Sequence, residues 1–280
     1  MDIITKYLSE DKQVTLTAYI QTPSREMACT ARKPAVLILP GGAYLFTSDR
    51  EAEPIALAYA ARGFQAFVLH YSTGKRAVGM KPLKEASAAI GLIRENAEQW
   101  HVAEKQLITC GFSAGGHLSA WVGLCGENKP DGMILCYPGV ELYAPAHGTE
   151  HNILLEALLG KGFTEAEAEA LNLVNHVGPD AIPMFLWSTA EDVIVTAPPV
   201  MRFATAYATA KRSFELHIYQ YGEHGLALAD HVTANERRAM AEPIAAGWLD
   251  ASVAWIHRNF APIELVDKPH EMIPGLFELS

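Results

Sequence analysis

Short apolar runs alternate with amphipathic stretches along this chain, and their spacing predicts alternating strands and helices. Residues 14–21 alternate apolar and polar side chains and are closed by Pro23, which points to a strand at an exposed sheet edge. Residues 35–39, Ala-Val-Leu-Ile-Leu, are continuously apolar, as a central strand covered on both faces must be. A helix is expected over 50–62, stopped by Gly63, then a buried strand over 64–71. Pro82 opens a long amphipathic helix over 82–100, followed by a strand over 106–110. Further strands are expected at 132–137, 183–188 and 214–219, with helices at 114–124, 199–211 and 244–260. This order predicts an α/β fold, a mostly parallel sheet with helices on both faces.

Two segments break the alternation. Residues 140–180 hold a short apolar helix, Ile153–Leu159, and an acidic run, Glu165–Glu169, and read as a cap-like insertion above the C-terminal ends of the strands. The tail, 261–280, is rich in proline and apolar residues. It is expected to pack across the body or onto a second subunit, so a homo-oligomer stays open. A single domain of 280 residues with one insertion accommodates all of this.

Composition narrows the functional classes. No apolar stretch approaches the roughly 18 to 20 residues that cross a bilayer, and residues 1–11 lack the apolar core of a secretory signal, so a cytoplasmic protein is expected. The formal charge of −10 disfavours nucleic acid and anionic membrane as partners. Cys29, Cys110, Cys125 and Cys136 lack pairing or metal-type spacing and read as reduced thiols. His147 and His151 flank Glu150 without a third convincing ligand, so a solvated loop is expected there, not a metal site.

The chemistry centres on Gly111-Phe112-Ser113-Ala114-Gly115. A serine at a sharp strand-to-helix turn, with glycines two residues to either side, is the pattern of a nucleophile on a strained backbone. A phosphate loop is excluded, because no Lys-Ser or Lys-Thr pair follows the glycines. Pro40-Gly41-Gly42-Ala43-Tyr44 ends the central strand, and the amides of Gly42, Ala43 and Ala114 are candidate oxyanion donors. The acid is expected at the end of the 183–188 strand, as Asp192 with Glu191 as the alternative. The base is expected on the turn after the last strand, as His224. His117 lies on the helix that follows Ser113 and suits packing or a supporting role, His217 alternates within a strand, and His231 is less suitably placed. The order serine, acid, histidine is that of α/β-hydrolases.

These motifs resemble the acetylxylan-esterase-like branch of the α/β-hydrolases, near the carbohydrate esterases and the hormone-sensitive-lipase-like enzymes. The resemblance rests on Pro40 to Tyr44, Ser48-Asp49-Arg50-Glu51-Ala52, Gly111 to Leu118, Thr189-Ala190-Glu191-Asp192, and Phe214 to His217 running on to His224-Gly225-Leu226. It implies the α/β-hydrolase fold, Ser113 as nucleophile, Asp192 as acid, His224 as base, and Gly42, Ala43 and Ala114 as oxyanion donors. It also implies short-acyl, often acetyl, esters of sugars as small-molecule substrates, without metal or cofactor. Ala43 stands where the family has a third loop glycine, and residues 163–172 do not match it well.

Among aromatics at predicted strand ends, Tyr44, Phe46, Tyr71, Tyr143 and Trp187, packing is expected for at least half. Tyr44, Tyr143 and Trp187 are the candidates for stacking on a sugar ring. A peptidase of the same fold and a non-catalytic binding module remain the alternatives.

Overall fold

The computed structural model describes residues 1–24, 27, 31–143 and 152–262. Its centre is an eight-stranded sheet: β1 (Asp2–Tyr7), β2 (Thr15–Ile20), β3 (Lys33–Leu39), β4 (Gln65–His70), β5 (Val102–Phe112), β6 (Gly132–Cys136), β7 (Met184–Thr189) and β8 (Phe214–Tyr219). In space the order is β1-β2-β4-β3-β5-β6-β7-β8. The pairings of β1 with β2 and β2 with β4 are antiparallel, and all the others are parallel. The expected doubly wound sheet is therefore present.

Among the described residues there are seven α-helices, six between strands and the last after β8: α1 (Glu53–Ala60), α2 (Lys81–Glu95), α3 (Ala114–Cys125), α4 (Ile153–Leu159), α5 (Glu165–Glu169), α6 (Ala197–Thr209) and α7 (Trp248–Asn259). Alternate residues of the central strands feed opposite faces. Leu37, Leu39 and Leu107 pack with Ile90 of α2 and Leu118 of α3, while Val36, Ile38 and Ile108 pack with Tyr59 of α1 and Trp248 of α7. Both faces of β3 are buried, which is why its sequence is apolar without alternation.

Two expectations change, one about the sheet edge and one about element bounds. Residues 15–20 are not an edge strand, because β1 pairs along their whole length and takes that position. The alternation of β2 instead reflects unequal cover, with Leu16 and Ala18 in the core and Thr15 and Thr17 half-exposed. The helix expected over 82–100 ends at Glu95, and β5 begins at Val102, earlier than expected.

The insertion holds α4, α5 and a 3-10 turn, Leu173–His176. Asn152 caps α4 by accepting the N–H of Leu155, and Thr164 with Glu167 forms a reciprocal cap on α5. Residues 147, 150 and 151 and nearly all of the tail, 263–280, lie outside the described residues, so the readings of His147, Glu150, His151 and the tail lie there too. No helix among the described residues is long and apolar enough to cross a membrane.

Candidate active site

Four loops converge where the parallel strands end. β5 stops at Phe112, and Ser113 follows with φ 50° and ψ −115°, a conformation that L-residues rarely adopt. Ser113 is held there by its own N–H, which donates to Cys136 O at 3.0 Å, and by its carbonyl, which accepts the N–H of His117 and of Gly139. The flanking glycines are sterically required. A Cβ on Gly111 would lie 2.1 Å from Gly115 O, and one on Gly115 would lie 2.0 Å from Leu39 O.

His224, on the turn after β8, directs Nε2 at Ser113 Oγ across 2.8 Å. Its Nδ1 faces Asp192 Oδ2 at 2.6 Å. Asp192, after β7, has a fully buried side chain whose Oδ1 accepts the N–H groups of Ile194 and Val195 at 2.9 and 2.8 Å. The carboxylate thus carries three hydrogen bonds, which offsets the cost of its burial. Of the two candidate acids, Asp192 faces the imidazole, whereas Glu191 accepts the N–H of Gly222 at 3.2 Å. The structure brings Ser113, His224 and Asp192 together as the sequence order implied.

Gly42, Ala43 and Ala114 line one cavity with Ser113 and His224, about 330 Å³ in volume. Ala114 is the first residue of α3, so its N–H has no intrahelical acceptor and sits in the positive field of the helix N-terminus. Gly42, Ala43 and Tyr44 run with φ of 127°, 56° and 58°, folding the loop back on itself so that Leu45 and Phe46 donate to Gly42 O. Leu142, Leu154, Ile194 and Val195 also line this space, giving it mostly apolar walls. Sequence reasoning did not assign these four to the cavity: Leu154 reads only as part of the short apolar helix, and the other three lie in irregular segments between elements.

The stacking candidates are corrected. Tyr44 is buried and turned into the core, where its hydroxyl lies 2.8 Å from His117 Nδ1. Trp187 is fully buried beneath the sheet's end, stacked on Trp248 with 5.5 Å between ring centroids. Tyr143 is buried in the insertion, its backbone tied to the Asn172 side chain. In each case the ring's apolar area is spent on packing and none remains for a sugar. Phe46, more than half exposed, is the one member of that aromatic set on the cavity wall.

The other histidines fall away from the triad. His117 is fully buried, with Nε2 3.0 Å from Leu171 O, and burial pulls its pKa down to about 4. A carbonyl can only accept, so Nε2 carries the proton and Nδ1 accepts from Tyr44. His217 bonds Glu215 at 2.9 Å, and His231 is exposed. Glu51, also on the cavity wall, is buried, and that burial pushes its carboxyl above the usual range, while bonds from Tyr137 and Gly41 act in the opposite sense.

A family model described as BD-FAE matches residues 20–206. The chain is 30% identical over 215 residues to an endo-1,4-beta-xylanase B of Butyrivibrio fibrisolvens, covering 71% of this chain and 33% of that one. It is 26% identical over 237 residues to an acetylxylan esterase of Xylanibacter ruminicola, covering 79% of this chain and 45% of that one. The chain thus spans less than half the length of these curated relatives. Among solved structures, MGS-M1, an α/β-hydrolase enzyme from a Medee basin deep-sea metagenome library, is 32% identical with a TM-score of 0.79, over 92% of this chain and 97% of that one. The carboxylesterase Cest-2923 of Lactobacillus plantarum is 26% identical with a TM-score of 0.81, over 92% of this chain and 98% of that one. With two thirds of its length matched by the family model and its fold shared with these enzymes, the chain belongs to the BD-FAE family of α/β-hydrolases.

Proposed function

We propose that this protein is a serine esterase that hydrolyses short-acyl esters, acetyl esters of carbohydrates foremost, through an acyl-enzyme. The observation that carries the reading is the continuous hydrogen-bonded line Ser113–His224–Asp192 opening on the 330 Å³ cavity. His224 Nε2 takes the Ser113 proton as Oγ attacks the ester carbonyl, and Asp192 stabilises the imidazolium that forms. The amides of Gly42, Ala43 and Ala114 receive the oxyanion, each donor contributing roughly 2.7 to 4 kcal/mol to the transition state. His224 then protonates the leaving alcohol, and water releases the acid by the same steps in reverse.

The names of the relatives support acetyl and xylan-type substrates, and the apolar walls suit an uncharged acyl group better than an ionised one. The test compares wild type and Ser113→Ala on p-nitrophenyl acetate and on acetylated xylo-oligosaccharides. A fall in kcat of about 10⁴-fold or more is expected on both. Wild-type turnover by the alanine variant would refute the assignment, and activity confined to the phenyl ester would refute the carbohydrate.

A further inference from the structure

Arg50 and Glu51 stand side by side in the 3-10 turn Asp49–Glu51 that follows the oxyanion loop, and the mechanism above uses neither. Glu51 Oε2 accepts the N–H of Gly41 at 2.8 Å, immediately before the candidate oxyanion donors. Its Oε1 accepts the hydroxyl of Tyr137 at 2.7 Å. The Tyr137 oxygen in turn accepts the N–H of Ala227 at 2.9 Å, three residues beyond His224, and its ring meets the imidazole edge-on at 5.1 Å between centroids. Arg50 reaches the same loop directly, donating to Gly225 O at 2.9 Å and to Thr233 O.

Every donor in this chain has a committed direction. Two backbone N–H groups cannot accept, and the single Tyr137 proton is left for Glu51, so a carboxylate with both oxygens accepting completes the set. A buried charge is costly unless its bonds are good, and those of Glu51 run through Tyr137 to the loop that Arg50 reaches directly at Gly225, about 175 residues away in sequence. We propose that Arg50 and Glu51 are positioning residues, a clamp that fixes the loop bearing His224 against the loop bearing Gly42 and Ala43. The clamp sets how far the imidazole stands from the oxyanion donors. The inference rests on the esterase reading. It predicts that loosening the clamp slows the chemical step and leaves binding nearly intact, because misplacement by an ångström is felt mainly in the transition state.

The experiment uses Glu51→Gln, Tyr137→Phe and their double variant, with wild type and Ser113→Ala alongside on p-nitrophenyl acetate. Each single change is expected to lower kcat by about 10- to 100-fold with KM within about twofold, and the double variant to be no worse than the poorer single. Without substrate, the proton NMR signal of the His224 Nδ1–H is expected to shift in Tyr137→Phe. Tyr137→Phe keeps the ring packing and decides the matter alone if Glu51→Gln fails to fold. Wild-type kcat and an unmoved imidazole signal in Tyr137→Phe, a loss confined to KM, or additive losses in the double variant would overturn the clamp. Failure of the esterase reading looks different, because Ser113→Ala would then match wild type while the imidazole signal still reports on the clamp.

Discussion

Asp192 presents one oxygen to His224 and the other to the backbone. Oδ2 takes the imidazole Nδ1–H at 2.6 Å, and Oδ1 is occupied by the N–H groups of Ile194 and Val195. In Asp192→Asn the amide oxygen must stay with those two donors, which turns the NH₂ toward Nδ1. The imidazole then carries its proton on Nε2 and can no longer accept from Ser113. A fall in kcat of about 10⁴-fold is expected in a variant that still folds, read from steady-state kinetics beside a thermal melt. A fall of less than tenfold would show that Asp192 does not set the tautomer.

His117 predicts an acid-side loss of stability. Its pKa in the folded protein is lowered to about 4 by burial, against 6.5 for the free side chain. Above pH 6.5 it is neutral in both states and has no effect. As pH falls below that value the unfolded chain takes up a proton that the folded one refuses, so stability declines down to about pH 4, by about 3 kcal/mol in all. In His117→Gln, the amide can accept from Tyr44 and donate to Leu171 without titrating. Urea unfolding at pH 7 and pH 4 should show the wild type losing about 3 kcal/mol more than the variant over that interval. Parallel pH profiles would contradict a buried neutral imidazole.

Ser113 is strained, and the strain has a measurable sign. Glycine ordinarily destabilises relative to alanine by about 0.5 to 1 kcal/mol through chain entropy. At φ 50° and ψ −115° the Cβ itself is the burden, so Ser113→Gly is expected to be more stable than Ser113→Ala by about 1 kcal/mol, with both inactive. Chemical denaturation of the two variants measures the difference. The ordinary order, alanine above glycine, would show that the turn stores no strain at this residue.

Much of the site was legible because its local rules are rigid. Gly111 and Gly115 announce a turn in which strand and helix backbones nearly touch, and only a few chain orders then bring an acid and a histidine to the same rim. The core strands were legible because β3 has no exposed face to alternate toward. Side-chain direction was not. Tyr44, Tyr143 and Trp187 fall at or near the ends of the strands the sequence predicts, but position along the chain leaves open whether a ring points to the cavity or the core. Asp2–Tyr7 escaped notice because its residues stay largely exposed and so carry little apolar pattern. Glu51 reads in sequence as an ordinary acid in the first turn of the helix expected over 50–62, and only the fold reveals its burial beside Gly41 and Tyr137.

The Leu171 carbonyl reaches His117, which in turn receives the Tyr44 hydroxyl two residues from Gly42. Any protein engineer who exchanges residues 152–182 for the equivalent stretch of a cousin therefore alters more than selectivity. Such a transplant preserves this line to the Gly42 turn only if it restores a main-chain acceptor over the imidazole; without one, His117 and the Tyr44 hydroxyl lose the support that Leu171 provides.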